Sequence, residues 1–200
     1  GFAFKVALVP FHLWSPDVYQ GAPTPITGFL CTAPKVAAFG ALINLFIIAF
    51  PEVYLNWQNL FWILAALTMS VGNISALMQL NVKRMLAFSS VSHAGYLVLG
   101  VLVLNFDGIS AVLFYFVVYS TMNLGAFSII SIVEKDDTGM TFSDYRGLAS
   151  KQPWLAICMV LFMLSLAGFP PTAGFIAKYG LLSTAAANGY IGLVLIAVIN

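Results

Sequence analysis

Long apolar runs separated by short polar segments dominate this sequence. The runs cover roughly 1–15, 25–50, 57–80, 85–104, 109–133, 153–187 and 188–200. A helix that crosses a bilayer needs about 20 mostly apolar residues. Because lipid cannot satisfy free backbone groups, such runs must be helical where they cross the membrane. The pattern therefore predicts an all-α, polytopic transmembrane helix bundle. We expect residues 1–200 to be a fragment of one transmembrane domain with about seven spans, the first and last of them incomplete.

The composition excludes several other classes of protein. Of 200 residues, 61% are hydrophobic and 8% are charged, whereas a soluble surface needs about a quarter of charged residues. The net charge of +1 without a basic tract argues against a nucleic-acid partner. Cys31 and Cys158 are too far apart to suggest a zinc site or a disulfide framework. Without nucleotide or iron–sulfur motifs, we expect no cofactor, no metal and no catalytic redox centre in this chain.

Most cations fall in two of the predicted loops. Five of the eight cations lie after the third and fifth runs: Lys83, Arg84, Lys135, Arg146 and Lys151. The opposite loops contain Glu52 and Asp107 but no Lys or Arg. The positive-inside rule places the basic loops in the cytoplasm, or in the matrix or stroma of an organelle. The long loop, 134–152, is either a solvated cytoplasmic-side connector or a structured amphipathic segment around 140–148.

Three lysines remain inside apolar runs, namely Lys5, Lys35 and Lys178. A lysine at the centre of a membrane helix costs about 2.5–3.5 kcal/mol on insertion scales. At the rise of an α-helix each lies ~14–16 Å from the end of its run, near the middle of the bilayer. Lysines near helix ends can snorkel, but these are too deep. Such residues face a bundle interior or a wet cavity and serve a function. We therefore predict that water links the three lysines into a proton-translocation path.

Two histidines accompany the lysines. His93 lies ~13 Å into its run, near three serines and Tyr96. Imidazole exchanges protons near neutral pH, so His93 is either a proton relay or a hydrogen-bonded packing residue. His12 follows Pro10 closely and is either a second relay group or a cap for free carbonyls.

Prolines interrupt two of the lysine-bearing runs. In the first run, Pro10 follows Lys5 and removes a backbone donor. In the sixth run, the residues that precede Lys178 include Gly168, Pro170, Pro171 and Gly174. Two prolines between two glycines cannot continue a regular helix. Broken helices indicate an ion site near the midplane of an inverted-repeat transporter. We predict two interrupted helices, each beside a lysine.

Three stretches of the sequence resemble one family. Residues 9–25 read VPFHLWSPDVYQGAPTP, residues 81–96 read NVKRMLAFSSVSHAGY, and residues 164–178 read LSLAGFPPTAGFIAK. They are similar to motifs of the antiporter-like membrane subunits of proton-pumping NADH:quinone oxidoreductase, respiratory complex I. The resemblance extends over essentially the whole chain, and the first stretch is the most specific.

The resemblance implies part of an inverted-repeat antiporter-like fold. Lys5 and Lys178 match the lysines of the family's two broken helices, and Lys35 matches the lysine of the helix that connects its two half-channels. The family's paired glutamate has no counterpart in this sequence. In the family, a small residue such as serine usually precedes the lysine of the connecting helix, whereas here that residue is Pro34.

The same resemblance implies a function and its partners. The expected function is proton translocation coupled to quinone reduction, by a non-redox subunit. NADH, FMN, iron–sulfur clusters and quinone would lie in other subunits, and the partners would be other membrane subunits of complex I and the lipid bilayer. The expected location is the bacterial inner membrane, with the basic loops in the cytoplasm. Two alternatives stay open, an Mrp-type cation/proton antiporter subunit and the membrane scaffold of a hydrogenase-type complex.

Overall fold

Helices make up most of the chain in the computed structural model, which describes residues 1–50, 52, 54–134 and 140–200. In chain order they are α1 Phe2–Lys5, α2 Trp14–Gly21, α3 Thr24–Asn44, α4 Tyr54–Leu77, α5 Val82–Val103, α6 Phe106–Val133, α7 Leu148–Lys151, α8 Pro153–Ala167, α9 Ala173–Ala187 and α10 Ile191–Ile199. A π-helical turn, Leu45–Ala49, extends α3, and a 3₁₀-helix, Phe142–Tyr145, precedes α7.

Four helices are long and apolar enough to cross a membrane. They are Thr24–Ala49, Asn56–Leu77, Val82–Val103 and Phe106–Val133, and they correspond to the second to fifth apolar runs. The prediction of an all-α, polytopic transmembrane bundle is thereby confirmed. The total of about seven spans, and the assignment of 1–200 to one domain, stay predictions.

Two of these helices begin about three residues before the predicted runs, because asparagine side chains cap them. Asn81 accepts a hydrogen bond from the backbone of Arg84 (3.0 Å), and Asn105 accepts one from the backbone of Gly108 (2.8 Å). An N-cap asparagine satisfies a backbone donor that the first helical turn leaves free. The polar residues that follow each cap therefore belong to the helix and not to the loop.

Helix α3 continues through Pro34 without ending there. A proline inside a helix removes the hydrogen bond to the carbonyl four residues earlier, which here belongs to Leu30. The Tyr19 hydroxyl, on α2, donates to that carbonyl at 3.2 Å. The side chain of a neighbouring helix thus replaces the bond that the proline removes, and Lys35 keeps a helical backbone.

Non-helical backbone lies at both predicted breaks. Between α1 and α2 the chain is buried at residues 6–9, and the backbone N–H of Val9 donates to the Thr68 hydroxyl (3.0 Å). Between α8 and α9, Gly168 adopts a φ of 83°, which caps α8 in the left-handed region. That each pair of flanking helices forms one interrupted span stays a prediction. Helix α2 follows the first of these stretches, with Pro16 in its first turn, where proline is tolerated.

Residues 140–152 are structured and not merely a solvated connector, and they lie with the start of α5 on what we call the basic side of the bundle. The backbone N–H of Val82 donates to the carbonyl of Met140 (2.8 Å), so the residues after 139 pack on the turn between α4 and α5. Lys135 lies outside the described residues. Lys83, which the sequence placed in a loop, is 2% exposed as the second residue of α5, and its Nζ lies 2.8 Å from Glu134 Oε1. Thr24 also donates to the Glu134 carboxylate.

Helix α5 lies at the centre of the bundle and is the most buried of the four long helices. It packs against α2, α3, α4, α6 and α9. Its contact with α4 is so close that a Cβ on Gly72 would lie 2.6 Å from the Ser92 nitrogen, and one on Gly95 would lie 2.8 Å from the Met69 nitrogen. Small residues permit this approach of helix backbones in membrane proteins.

Candidate functional site

One face of α5 carries a row of polar residues into the core. Ser90, His93 and Tyr96 follow one another at intervals of three and are each 1–4% exposed. Residues three apart lie on one side of a helix, about one turn from each other. The row therefore has one member on each of three successive turns of α5, which we call the first, second and third turn.

The first turn of this row holds Lys35. The Nζ atom of Lys35 lies 2.7 Å from the Ser90 carbonyl oxygen and 2.5 Å from Ser90 Oγ. The hydroxyl of Tyr119, on α6, reaches the same Oγ at 2.8 Å and the Cys31 carbonyl at 3.3 Å. Lys35 is 1% exposed, and no carboxylate of the described residues forms an ion pair with it. Neutral oxygen atoms thus accept its hydrogen bonds.

The second turn holds His93. Its Nδ1 lies 2.5 Å from the Tyr115 hydroxyl. The His93 ring also packs against the two tyrosines of α6, with its centroid 5.9 Å from that of Tyr115 and 5.1 Å from that of Tyr119. Since Tyr115 and Tyr119 are four apart, they match the spacing of Ser90 and His93 across two antiparallel helices. The result is two hydrogen-bonded pairs, one turn apart.

The third turn holds Lys178. Its Nζ lies 4.7 Å from the centroid of the Tyr96 ring and donates to the Ala167 carbonyl at the end of α8 (3.2 Å). A cation over an aromatic face is stabilised electrostatically. Gly168 lies directly against this side chain, because a Cβ there would lie 3.0 Å from Cδ of Lys178. Of the predicted break residues, Gly168 therefore packs against the lysine.

A cavity of about 450 Å³ adjoins the second and third turns. Its lining includes Ser92, His93, Tyr96 and Lys178. Within the described residues, the Ser92 hydroxyl is buried and has no hydrogen-bond partner. Buried polar groups normally have a partner in protein or water, and a cavity of this size and lining has room for water.

The structure places the other predicted site residues apart from this row. Lys5 is exposed at the end of α1 and lines a surface cavity with Pro34. His12 is buried, and its Nδ1 has no hydrogen-bond partner among the described residues. Pro10 is exposed in the non-helical stretch, and Pro170 and Pro171 lie in the turn between α8 and α9.

Gly174 lies inside α9 and not in the turn before it. A Cβ there would lie 1.8 Å from the Ser165 carbonyl oxygen, and its backbone N–H donates to Ser165 Oγ (3.0 Å). Gly174 thus allows α9 to contact the end of α8. The sequence predicted that Gly174 lies in the helix break, whereas it is the second residue of α9.

Sequence reasoning missed two residues of the site, Tyr115 and Tyr119. Both lie in the apolar run 109–133, whose hydrophobicity conceals them. Their spacing of four on a buried helix is the signal that could have identified them, because a buried phenol needs a hydrogen-bond partner. Among the described residues, no cluster of three His, Cys, Asp or Glu side chains could hold a metal ion.

Comparison with known proteins places this geometry in one family. The family model described as "NADH:quinone oxidoreductase/Mrp antiporter, TM" matches residues 1–200. The chain is 52% identical over 201 residues to NADH-quinone oxidoreductase subunit N of Trichlorobacter lovleyi, and it covers 41% of that protein. The chain thus spans less than half the length of this relative.

Two solved structures have the same fold. The chain is 40% identical to a chain of respiratory complex I from Thermus thermophilus with bound aureothin, with a TM-score of 0.86 over 100% of this chain and 43% of that one. A chain of the Mrp complex from Dietzia is 27% identical, with a TM-score of 0.92 over 99% of this chain and 37% of that one. Because the family model extends over all 200 residues, this chain belongs to the transmembrane family of NADH:quinone oxidoreductase and Mrp antiporter subunits.

Proposed function

We propose that this chain is the part of a complex I membrane subunit that translocates protons, coupled to quinone reduction. The observation that carries the proposal is the polar face of α5, which contacts Lys35 at one end and Lys178 at the other. Protons would move between these lysines through His93 and water. Lys5 and His12 would belong to an input side that needs further residues of the complete subunit.

The groups around the two lysines favour a role in proton transfer over a role in fixed ion pairs. A buried ammonium held by a carboxylate is fixed in its charged form, whereas one held by neutral oxygens can exist in both forms. Lys35 has neutral acceptors, and Lys178 has a carbonyl and an aromatic ring. Both side chains therefore suit groups that gain and lose a proton during turnover.

The subunit would have no redox role of its own. NADH, FMN, iron–sulfur clusters and quinone would bind to other subunits, because the relatives are named as parts of an NADH-quinone oxidoreductase. Its partners would be other membrane subunits of complex I. The bacterial inner membrane is the proposed location, with the basic loops in the cytoplasm, since the cations of α5 and of residues 140–151 lie on one side.

An Mrp-type antiporter subunit is the second candidate. The TM-score of 0.92 with the Mrp chain favours it, but that chain is 27% identical, against 40% for the complex I chain. A sodium path also requires oxygen ligands such as carboxylates and carbonyls, whereas lysines dominate this one. A hydrogenase-type scaffold, the third candidate, would not need the hydrogen-bonded row on α5.

Replacement of Lys178 tests the proposal. In the intact complex in proteoliposomes, Lys178→Ala should lower proton pumping at least about fivefold, because the path loses the lysine at its Tyr96 end. The measurement is the quenching of a pH-sensitive dye driven by NADH oxidation. Lys151→Ala is the matched control, since Lys151 is an exposed cation of the same chain, and its pumping should stay normal.

Two outcomes would contradict the proposal. Normal pumping by Lys178→Ala in a fully assembled complex would favour the scaffold. Exchange of sodium for protons by the intact complex without NADH, lost in Lys178→Ala, would favour the Mrp-type antiporter.

A further inference from the structure

Three groups around Lys35 form a hydrogen-bond chain that can run in either direction. Ser90 Oγ lies between Lys35 Nζ (2.5 Å) and the Tyr119 hydroxyl (2.8 Å). The Tyr119 hydroxyl has a second acceptor, the Cys31 carbonyl at 3.3 Å. A hydroxyl donates one hydrogen and accepts others, and it rotates to suit its partners. Tyr119 therefore has two positions for its proton.

When Lys35 carries a charge, each group of this hydrogen-bond chain donates in the direction away from Lys35. The ammonium donates to Ser90 Oγ, the Ser90 hydroxyl donates to Tyr119, and Tyr119 donates to the Cys31 carbonyl. Along this path each of the two hydroxyls has an acceptor for its hydrogen, and hydrogen bonds in such a chain polarise one another in the same sense. The Ser90 carbonyl accepts a second bond from the ammonium.

When Lys35 is neutral, the two hydroxyls of this hydrogen-bond chain donate in the direction of Lys35. Tyr119 then donates to Ser90 Oγ, and the Ser90 hydroxyl donates to the free lone pair on Nζ. Again both hydroxyls have an acceptor for their hydrogens. An unsatisfied buried donor costs about 1–3 kcal/mol, so a site that satisfies only one form would hold Lys35 in that form.

We propose that Ser90 and Tyr119 are positioning residues that reverse their hydrogen bonds as Lys35 gains or loses its proton. The proposal rests on the proposed function, since only a lysine that changes charge needs a reversible environment. It adds that a serine and a tyrosine, and not a carboxylate, keep both forms of Lys35 accessible in the buried core.

The neighbouring titratable groups are consistent with this arrangement. Cys31 lies one turn before Lys35 on α3, His93 lies one turn after Ser90 on α5, and Tyr115 and Tyr119 face them from α6. Lys5, on α1, lines a cavity beside Pro34. Among these groups none is an acid that would be anionic near neutral pH, so the hydroxyl chain is the local adjustment to the charge of Lys35.

Replacement of Tyr119 in the intact complex tests the inference. In Tyr119→Phe, the Ser90 hydroxyl loses its acceptor when Lys35 is charged, whereas it still donates to Nζ when Lys35 is neutral. The pH at which pumping is half-maximal should therefore fall by about one unit, which corresponds to one lost hydrogen bond to a charged state. Ser90→Ala should shift the profile in the same direction, and Ser90→Thr, which keeps the hydroxyl, should restore it.

Tyr54→Phe is the matched control. It removes another buried phenol that donates to a backbone carbonyl, at Val101 on α5 (2.8 Å). Tyr54 makes no hydrogen bond to Lys35 or Ser90, so its removal should lower stability and leave the pH profile of pumping in place.

The outcomes separate this inference from the proposed function. If Lys35→Ala abolishes pumping but Tyr119→Phe has the pH profile of the wild type, the inference is wrong and the proposed function stands. If Lys35→Ala pumps normally, the proposed function fails, and the inference fails with it. If Tyr54→Phe shifts the profile as much as Tyr119→Phe, the effect is a general loss of packing, and the reversal is refuted.

Discussion

At the scale of single residues, the side chains that contact the two lysines on the α5 row carry no charge. Ser90, Tyr119 and Tyr96 provide oxygen atoms and a ring face to Lys35 and Lys178. Gly168 and Gly174 leave room for Lys178 and for the contact of α9 with α8. The local geometry at each lysine therefore depends on small neighbours as much as on the lysine itself.

Gly174 gives the sharpest prediction at this scale. A Cβ in Gly174→Ala would overlap the Ser165 carbonyl oxygen at 1.8 Å, and backbone on both sides must shift to relieve it. We expect a loss of stability of about 1–3 kcal/mol, as for other overpacked sites, and weaker pumping because Lys178 lies four residues later on α9. Thermal inactivation of the purified complex measures the first effect and dye quenching the second.

Gly180→Ala is the control for this change, because a Cβ on Gly180 has nothing within 4 Å. Equal thermal stability of both variants would show that the α8–α9 contact is not as tight as the structure has it.

At the scale of helices, ion pairs at the basic side join the ends of neighbouring elements. Lys83 and Glu134 connect the start of α5 to the end of α6, and Thr24 adds the start of α3. Arg84 pairs with Asp17 on α2 at 2.5 Å, but Arg84 is partly exposed and Asp17 is exposed. The Lys83–Glu134 pair should contribute more, because Lys83 is buried and a charge left alone in the protein interior is costly, whereas exposed pairs contribute little.

The Glu134 pair predicts how stability depends on pH. Burial works against the charged carboxylate, but hydrogen bonds from Lys83 and Thr24 outweigh it, and the pKa of Glu134 is lowered from its usual 4.5. A carboxyl with a lowered pKa in the folded state adds stability above its unfolded pKa and loses it as the pH falls through the folded pKa. We expect the melting temperature of the solubilised complex to fall below about pH 4.5, and Glu134→Gln to remove that part of the dependence.

At neutral pH, Glu134→Gln should destabilise the complex by about 1–3 kcal/mol, since Lys83 keeps its charge without a counterion. Asp17→Asn removes the exposed pair and should cost less than about 1 kcal/mol. A larger effect of Asp17→Asn than of Glu134→Gln would reverse this ranking of the two pairs.

The sequence predicted the long helices well and their ends less well. The apolar runs identified four of the spans, because membrane helices need uninterrupted hydrophobicity. The predicted starts of α5 and α6 were about three residues too late, because Asn81 and Asn105 were not recognised as caps. Lys83 was wrongly placed in a loop for the same reason, since a positively charged residue after a cap still belongs to the helix.

At the scale of the whole molecule, the lysines and breaks of the sequence predicted where chemistry could occur, but not how the groups connect. The contacts of Ser90 with Tyr119 and of His93 with Tyr115 depend on the packing of α5 against α6. Such a pairing of distant residues is set by tertiary structure and leaves only a weak spacing pattern in the sequence. The repair of the Pro34 helix by Tyr19 is of the same kind.

The orientation of the molecule gives a prediction at this scale. Lys151, on the basic side, should lie in the cytoplasm. In a background with Cys31 and Cys158 replaced, Lys151→Cys should react with a membrane-impermeant maleimide in inside-out vesicles and stay unlabelled in right-side-out vesicles. The parent without this substitution gives the background, and the opposite pattern of labelling would invert the proposed topology.

The central position of α5 has a mechanical consequence. Ser90 and Tyr96 are fixed on one rigid helix, and its backbone interlocks with α4 at Gly72 and Gly95. A small rotation or translation of α5 would therefore move Ser90 relative to Lys35 and Tyr96 relative to Lys178 at the same time. If the two lysines are the proposed proton sites, such a movement would couple them mechanically, so that an event at one end of the row alters the timing at the other without any long-range electrostatic signal.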